Sequence, residues 1–287
     1  MSHPQNPVRV HDLLADFSLE ITGKDAGSLQ EAASAIPQGT RINVTFLGHE
    51  DLQTRVAAAK TVRDLGFVPV PHISARRIHS ESDLKSFLSA LAEVDAVDHV
   101  FAVGGDPADP VGPYASARQM LESGIFEAFG VQEVAIAGYP EGHPDIAHDV
   151  LARELKSKLD LIAERQWDTT IVTQFGFDTE PIARWLNELA ALDIRVPVRI
   201  GVPGPAGVKQ LLSYARRFGV ASSAGIVKKY GFSLTNLLGS AGPDTFLEQL
   251  AEVAASTAFE GRVGVHFYTF GGVAKTARWI QDFTHNR

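Results

Sequence analysis

A chain of 287 residues, of which 45% are hydrophobic, can bury a large core, and its length allows one large α/β domain or two smaller ones. The net charge of −8 comes without a Lys/Arg block, which argues against a nucleic-acid partner, and the absence of cysteine excludes disulfides, thiolate metal sites and a cysteine nucleophile. No stretch reaches the roughly 18 apolar residues that span a bilayer, and no apolar signal core precedes the first strand, so we expect no membrane partner and a cytoplasmic location.

Eight short apolar runs, rich in β-branched and aromatic residues, predict eight strands. In chain order they cover residues 17–21, 42–46, 68–73, 100–103, 134–137, 170–173, 198–202 and 263–268. Pro69 and Pro71 are awkward within a central strand, and we take Pro71 to mark the end of the third one.

Segments with helical spacing lie between most of these runs. They cover residues 51–66, 82–94, 115–126, 145–166, 179–193 and 206–219, and a later helix begins with Pro243 and Asp244. This alternation predicts an α/β protein with a single (β/α)₈ TIM barrel, residues 1–287 forming one domain with an N-terminal extension over about residues 1–14. A doubly wound dinucleotide-binding sheet is the weaker interpretation, because the turn after the first strand, Thr22–Ala26, lacks G-x-G-x-x-G.

The chemistry of such a barrel lies at the carboxyl ends of its strands. The polar, aromatic and glycine residues at these ends are Glu20, Thr45, His72, Gly104, Gly105, Asp106, Tyr139, His143, Gln174, His266 and Tyr268. Each also has a structural explanation: Glu20 as a buried paired carboxylate, Asp106 as a turn cap, Tyr139 as a packed aromatic. The histidines lie on different loops without ligand spacing, so we predict no metal site.

At these residues the chain resembles the methylenetetrahydrofolate reductase family, and the resemblance extends over nearly all of the sequence. The matching segments are "FSLE" with Glu20, "NVTF" with Thr45, "PHIS" with His72, "VGGDP" with Asp106, "PYAS" with Ala115, "YPEGHPD" with Tyr139 and His143, "ELKSKLD" with Lys158, "TQFGFD" with Gln174 and "HFYTF" with Tyr268.

The resemblance implies a flavin-dependent oxidoreductase of one-carbon metabolism and methionine biosynthesis that interconverts 5,10-methylenetetrahydrofolate and 5-methyltetrahydrofolate. It implies that Glu20 is the general acid, that Asp106 binds the pterin and tunes the flavin, and that Gln174 and Tyr268 contact the folate. The implied FAD contacts are Thr45, His72, Gly104, Gly105, Asp106, Ala115, Tyr139, His143 and Lys158. NADH or NADPH would be the electron donor, and a homo-oligomer is compatible with the resemblance.

Four segments depart from the family pattern. Gly104 replaces an arginine, Ser157 a second basic residue, and Val208 an aromatic residue, while Phe270–Gly272 replace a segment that ends in a polar pair. These departures leave open a member that oxidises methyltetrahydrofolate, one with altered NADH or FAD dependence, and a non-catalytic folate- or flavin-binding paralogue. An unrelated aldolase or decarboxylase barrel would need a strand-end lysine or a metal cluster, and the strand ends contain neither.

Overall fold

A computed structural model describes residues 9–48, 50–217 and 240–285 of the chain. Its eight main strands are β1 (Ser18–Ile21), β2 (Arg41–Val44), β3 (Val68–Ser74), β4 (His99–Val103), β5 (Glu133–Gly138), β6 (Asp168–Phe175), β7 (Val198–Pro203) and β8 (Val263–Tyr268). They form one closed barrel in the order β1-β8-β7-β6-β5-β4-β3-β2. The predicted (β/α)₈ fold is therefore confirmed.

Helices follow the strands along the chain. They are α1 (Val10–Leu14), α2 (Ala26–Ala32), α3 (Leu52–Asp64), α4 (Glu81–Ala92), α5 (Ala117–Glu122), α6 (Ile125–Ala128), α7 (His148–Glu164), α8 (Thr179–Ala191), α9 (Val208–Arg217), α10 (Asp244–Ser256) and α11 (Val273–His285). The helix predicted over 115–126 is two short helices, because Gly124 between them has a φ of 71° that ends the helical path. None of the helices in the described part of the chain is long and apolar enough to cross a membrane.

The chain divides into two compact units. The N-terminal unit comprises residues 18–138 and 148–171, and the C-terminal unit comprises residues 9–17, 139–147 and the described residues from 172 onward. Strand β6 contributes to both units, since the division falls after Ile171. The prediction that the chain is one domain stays a prediction.

Strand β3 continues through both of its prolines to Ser74, so the prediction that it ends at Pro71 was wrong. Val68 N donates to Thr40 O, which directly precedes β2. Because successive residues of a parallel strand bond to opposite neighbouring strands, the backbone groups of residues 69 and 71 face β4. The register between β3 and β4 begins only at His72 and Phe101. The pairing of β3 with β4 therefore begins after both prolines, and neither lies in the paired part of that ladder.

A buried polar cluster lies where β2, β4, β5 and β6 begin. Glu133 accepts hydrogen bonds from Arg41 Nη2 at 2.9 Å and from Thr170 Oγ1 at 3.1 Å, and its Oε2 lies 3.6 Å from His99 Nε2. Hydrogen bonds between a buried carboxylate, a guanidinium and a hydroxyl are typical of a structural polar cluster. This end of the N-terminal unit is a structural part of the barrel.

Candidate functional site

Glu20, Asn43 and His72 form a polar group inside the N-terminal unit. Glu20 pairs with Asn43 in the parallel register of β1 and β2, so the two side chains lie on one face of the sheet. His72 Nε2 lies 3.5 Å from Glu20 Oε2 and 3.4 Å from Asn43 Nδ2. The His72 ring packs edge-on against Phe101, with 4.7 Å between ring centroids, and this contact fixes its orientation.

The two neighbours of His72 Nε2 make different demands on its proton. Nε2 must accept if Asn43 donates through its amide nitrogen, whereas it must donate if Glu20 is an ionised carboxylate. Nε2 offers either one lone pair or one N–H, so its tautomer decides whether it accepts from Asn43 or donates to Glu20. A carboxyl group that is 16% exposed and an imidazole therefore face each other inside this unit.

Asp106 lies at the end of the same unit's fourth strand and is engaged by an arginine that the sequence analysis did not single out. Arg77 Nε donates to Asp106 Oδ1 at 2.8 Å and Arg77 Nη2 donates to Oδ2 at 2.7 Å. Arg77 ends the 3₁₀ turn Ala75–Arg77 that directly follows β3. The only sequence feature that could have indicated Arg77 is the pair of consecutive arginines after β3. No sequence spacing predicts its contact with Asp106, which lies 29 residues later.

The loops around Asp106 leave room for a ligand. Thr45 Oγ1 is buried and has no hydrogen-bond partner among the described residues. A Cβ at Gly104, where the family has an arginine, would meet no atom within 4 Å. Gly105 has a φ of 95°, which favours glycine, and a Cβ there would collide with Ser74 Oγ.

Lys158 and Ala115 complete the predicted cofactor contacts of the N-terminal unit. Lys158 lies on α7, where burial lowers the pKa of its ammonium group and Glu154, one turn earlier, partly opposes this effect. A desolvated ammonium group gains from an anionic ligand such as a phosphate. The backbone of Ala115 is already engaged, since its oxygen accepts from Arg76 Nε at 2.8 Å and its nitrogen donates to Gln119 Oε1 at 2.8 Å.

Tyr139 and His143 lie together in the C-terminal unit, in the loop that follows β5. Their rings are perpendicular, with 5.4 Å between centroids, and burial raises the pKa of the Tyr139 phenol. Gly142 N donates to Tyr139 O at 3.0 Å, closing a turn in which Gly142 has a φ of 80°. His143 Nδ1 accepts from Asp145 N at 3.1 Å, which leaves Nε2 to face a ligand as a donor.

Gln174 and Tyr268 lie at the ends of β6 and β8 in the same unit. Gln174 Oε1 accepts from Phe175 N at 3.1 Å, so the amide nitrogen is the group left to donate to a ligand. Tyr268 Oη donates to Thr173 O at 3.1 Å, and its ring packs against His266, with 5.0 Å between centroids. Both side chains are held in one orientation.

An aromatic cluster surrounds this pair. Phe175 contacts Tyr268 and Phe270 at centroid distances of 5.3 and 4.9 Å, and Phe270 stacks on Tyr214 at 3.9 Å. Phe270 belongs to a segment that departs from the family pattern, and no sequence motif marks Tyr214. The side chain of Val208, the other departure in this region, lies outside the described residues.

Two pairs of predicted residues are in contact, each within one unit: Glu20 with His72, and Tyr139 with His143. Gln174 and Tyr268 lie at the ends of two strands of the C-terminal unit, where each is held by a neighbouring backbone group. Among the described residues no group of three or more His, Asp or Glu side chains is placed to hold a metal ion. The roles of the individual residues stay predictions.

The family model of methylenetetrahydrofolate reductase matches residues 26–278 of the chain. The 5,10-methylenetetrahydrofolate reductase of Pectobacterium carotovorum subsp. carotovorum is 26% identical over 180 residues, which are 61% of this chain and 57% of that protein. Methylenetetrahydrofolate reductase (NADH) 1 of Arabidopsis thaliana is 28% identical over 145 residues, which are 44% of this chain and 23% of the plant protein. The aligned segments span little more than half of one relative and about a quarter of the other.

Solved structures share the fold at low identity. A Clostridium thermocellum protein described as binding two copies of 5-methyl-5,6,7,8-tetrahydrofolic acid superposes with a TM-score of 0.61 and 9% identity, covering 97% of this chain and 98% of its own. Dihydropteroate synthase of Thermus thermophilus gives a TM-score of 0.51 at 12% identity, with 97% and 95% covered. At these identities the likeness establishes the barrel fold alone.

Proposed function

The chain belongs to the methylenetetrahydrofolate reductase family, and from that premise we propose that it interconverts 5,10-methylenetetrahydrofolate and 5-methyltetrahydrofolate. The observation that carries the proposal is the pair of Glu20, which is partly buried, and His72, near the carboxyl ends of β1 and β3. Opening the methylene bridge requires a proton donor, and Glu20 is the carboxyl group proposed for that role.

In the reductive direction Glu20 donates its proton to the folate nitrogen that leaves the bridging carbon. The carbon–nitrogen bond breaks, the electron pair stays on that nitrogen, and the remaining iminium carbon accepts a hydride to become the methyl group. Glu20 is left ionised and takes a proton back from water before the next turnover, and His72 Nε2, 3.5 Å away, is the adjacent polar group. In the oxidative direction Glu20 accepts the proton instead.

The pterin is proposed to contact Asp106 and Gln174. Asp106 offers carboxylate oxygens to N–H donors, while Gln174 offers its amide nitrogen to a carbonyl, because its own oxygen is held by Phe175 N. Tyr268, fixed by Thr173, borders the aromatic cluster and is proposed to contact the substrate.

We further propose that the chain holds FAD. The residues that would bind it are Thr45, whose buried hydroxyl has no partner among the described residues, the small residues Gly104, Gly105 and Ala115, and the side chains of His72, Asp106, Tyr139, His143 and Lys158. When bound, a flavin supplies hydride transfer at a two-electron centre. Lys158 provides the charge for a phosphate, and the space around Gly104, where the family arginine is absent, is not filled by any described side chain within 4 Å.

A spectroscopic and kinetic experiment on the purified protein tests the proposal. We expect a flavin absorbance band that NADH bleaches and methylenetetrahydrofolate restores, with 5-methyltetrahydrofolate as the product. Bleaching by methyltetrahydrofolate but not by NADH would assign the oxidative direction and a different electron acceptor. A protein that converts neither folate into the other, with or without added FAD, would contradict the proposed function.

A further inference from the structure

Arg77 and Asp106 form a two-pronged ion pair whose two partners are unequally exposed. The Arg77 side chain is 24% exposed, whereas the Asp106 side chain is 76% exposed. Arg77 contacts both carboxylate oxygens: Nε donates to Oδ1 at 2.8 Å, and Nη2 lies 2.7 Å from Oδ2 and 2.6 Å from Oδ1. Exposed ion pairs contribute little to stability, so this pair needs an explanation other than holding the fold together.

Arg77 is the fixed partner because its turn is tied to the loop that carries Asp106. Arg76 N donates to Gly104 O at 2.9 Å, and Val111 N donates to Arg76 O at 3.0 Å. The Arg76 side chain donates to Ala115 O at 2.8 Å and to Pro107 O at 3.2 Å. The backbone on both sides of Asp106 is therefore held against the turn in which Arg77 lies.

The opposite side of the Arg77 guanidinium lies over Gly48, in the loop after β2. A Cβ at Gly48 would overlap the guanidinium, so only glycine leaves room for the arginine in this position. Loops after β2, β3 and β4 thus converge on Arg77, whereas Asp106 projects from them. Arg77 is therefore the side chain held in place by the loops, and Asp106 is the side chain that is accessible to a ligand.

A carboxylate has about four lone-pair positions, and the bidentate arginine uses two of them. The two positions that point away from Arg77 remain accessible on a side chain that is 76% exposed. Two adjacent N–H donors, such as the amino group and ring N–H of an amino-oxo-pyrimidine, match two parallel acceptors. The orientation of those acceptors is set by the plane of the guanidinium.

We propose that Arg77 is the positioning residue of this site: it holds the Asp106 carboxylate in the one orientation that receives the pyrimidine edge of a folate. The inference rests on the proposed function for the identity of the ligand. Arg77 touches neither the folate nor the reacting atoms and acts only through Asp106. Its loss is therefore expected to affect folate binding and to leave the chemical step nearly unchanged.

A double-mutant cycle on the full chain tests this role. The variants are Arg77→Met, Asp106→Asn and the two combined, each titrated with 5-methyltetrahydrofolate and assayed for turnover. We expect Arg77→Met to raise Kd and KM roughly tenfold with kcat within about twofold of the parent. Because Arg77 acts through Asp106, the double variant should bind no more weakly than Asp106→Asn alone. Full additivity of the two losses, or unchanged binding by Arg77→Met, would overturn the inference.

Arg77→Lys separates orientation from charge, because lysine keeps the cation but lacks the planar fork. We expect it to bind folate nearly as weakly as Arg77→Met, and full binding by the lysine variant would overturn a positioning role. Arg118→Met is the matched control, since it removes an exposed arginine–carboxylate pair with Glu122 on α5 and should bind folate like the parent. A parent protein that neither binds nor converts any folate would contradict the proposed function, whereas a binding parent with an unaffected Arg77→Met contradicts only this inference.

Discussion

Glu20 is an ionisable side chain on a strand whose neighbours, Leu19 and Ile21, are fully buried. Replacing it with Gln keeps the size and hydrogen-bonding capacity of the side chain but removes the proton that it donates. We expect Glu20→Gln to lower kcat roughly 100- to 10,000-fold while 5-methyltetrahydrofolate binds with nearly parental affinity. Steady-state kinetics and equilibrium titration measure the two quantities separately.

The control for this substitution is Glu31→Gln on the exposed face of α2, which makes the same chemical change far from the polar group. It should retain the parental kcat. A Glu20→Gln variant with full turnover would remove Glu20 from the proposed chemistry. A parent with no turnover but with tight folate binding would instead favour the non-catalytic paralogue.

His99 predicts how the stability of the protein depends on pH. Burial lowers its pKa below the ordinary value of 6.5, with Glu133 opposing the shift, and its Nδ1 is buried without a hydrogen-bond partner among the described residues. At a pH below 6.5 the unfolded chain therefore binds this proton more readily than the folded protein does. The contribution of neutral His99 to the free energy of unfolding is therefore fully present above pH 6.5, and it is lost as the pH falls towards the pKa of His99 in the folded protein.

Urea unfolding between about pH 5 and pH 8 measures this effect. We expect His99→Gln to lose less unfolding free energy on acidification than the parent does, because the residue that resists protonation is gone. His79→Gln, at an exposed position before α4, should follow the parental pH dependence. If His99→Gln and the parent lost equal unfolding free energy on acidification, the prediction would be wrong, and Glu133 would offset the effect of burial on the pKa of His99.

At the scale of elements, the start of α4 depends on one side chain. Ser80 Oγ accepts from Asp83 N at 3.1 Å and so satisfies a backbone N–H that the first turn of the helix leaves free. We expect Ser80→Ala to lower the free energy of unfolding by about 1 kcal/mol. Denaturant unfolding provides the measurement.

Ser86→Ala is the matched control, since it makes the same substitution at an exposed position inside α4. Alanine is the better helix former there, so stability should stay the same or rise slightly. If both substitutions changed stability equally, the hydroxyl of Ser80 would not be acting as a cap.

For strand β3, the amino-acid sequence predicts the location of the strand but not where it ends. Its apolar run was predicted from residues 68–73, but its end was placed wrongly at Pro71, since proline is normally excluded from central strands. Whether a proline interrupts a ladder depends on where its strand begins to pair with the neighbouring strand. The pairing of β3 with β4 begins at His72 and Phe101, and the sequence of neither segment alone specifies this.

At the scale of the whole molecule, the prediction of a single domain can be tested by its unfolding. Strand β6 supplies residues to both compact units, so separating them would break a strand. We therefore expect one cooperative transition. Trp167 reports on the N-terminal unit, and Trp185 and Trp279 report on the C-terminal unit.

The measurement uses the tryptophan fluorescence of two variants: one retains Trp167, and the other retains Trp185 and Trp279. We expect their unfolding midpoints to coincide with each other and with the midpoint measured by helical circular dichroism. The Trp→Phe substitutions keep an aromatic ring at each site, which limits the cost in packing. Two separated midpoints would contradict the single-domain prediction and assign independent stability to the units.

The sequence by itself determined the number and order of the strands, because a period of two residues and the turn residues between segments are local properties. It also determined which residue types end each strand, and hence the candidates Glu20, His72, Asp106, Tyr139, His143, Gln174 and Tyr268. The family resemblance rested on the same residues, and the family model confirmed it.

Only the tertiary structure decided which of these side chains meet. His72, predicted as a cofactor contact, also lies 3.5 Å from Glu20, and Asp106 is held by Arg77, which no motif marked. Such pairs join residues on different strands and loops, and their distances depend on strand register and loop conformation across the N-terminal unit. No periodicity in the chain encodes those quantities, so the partners of a site appear only when the fold brings them together.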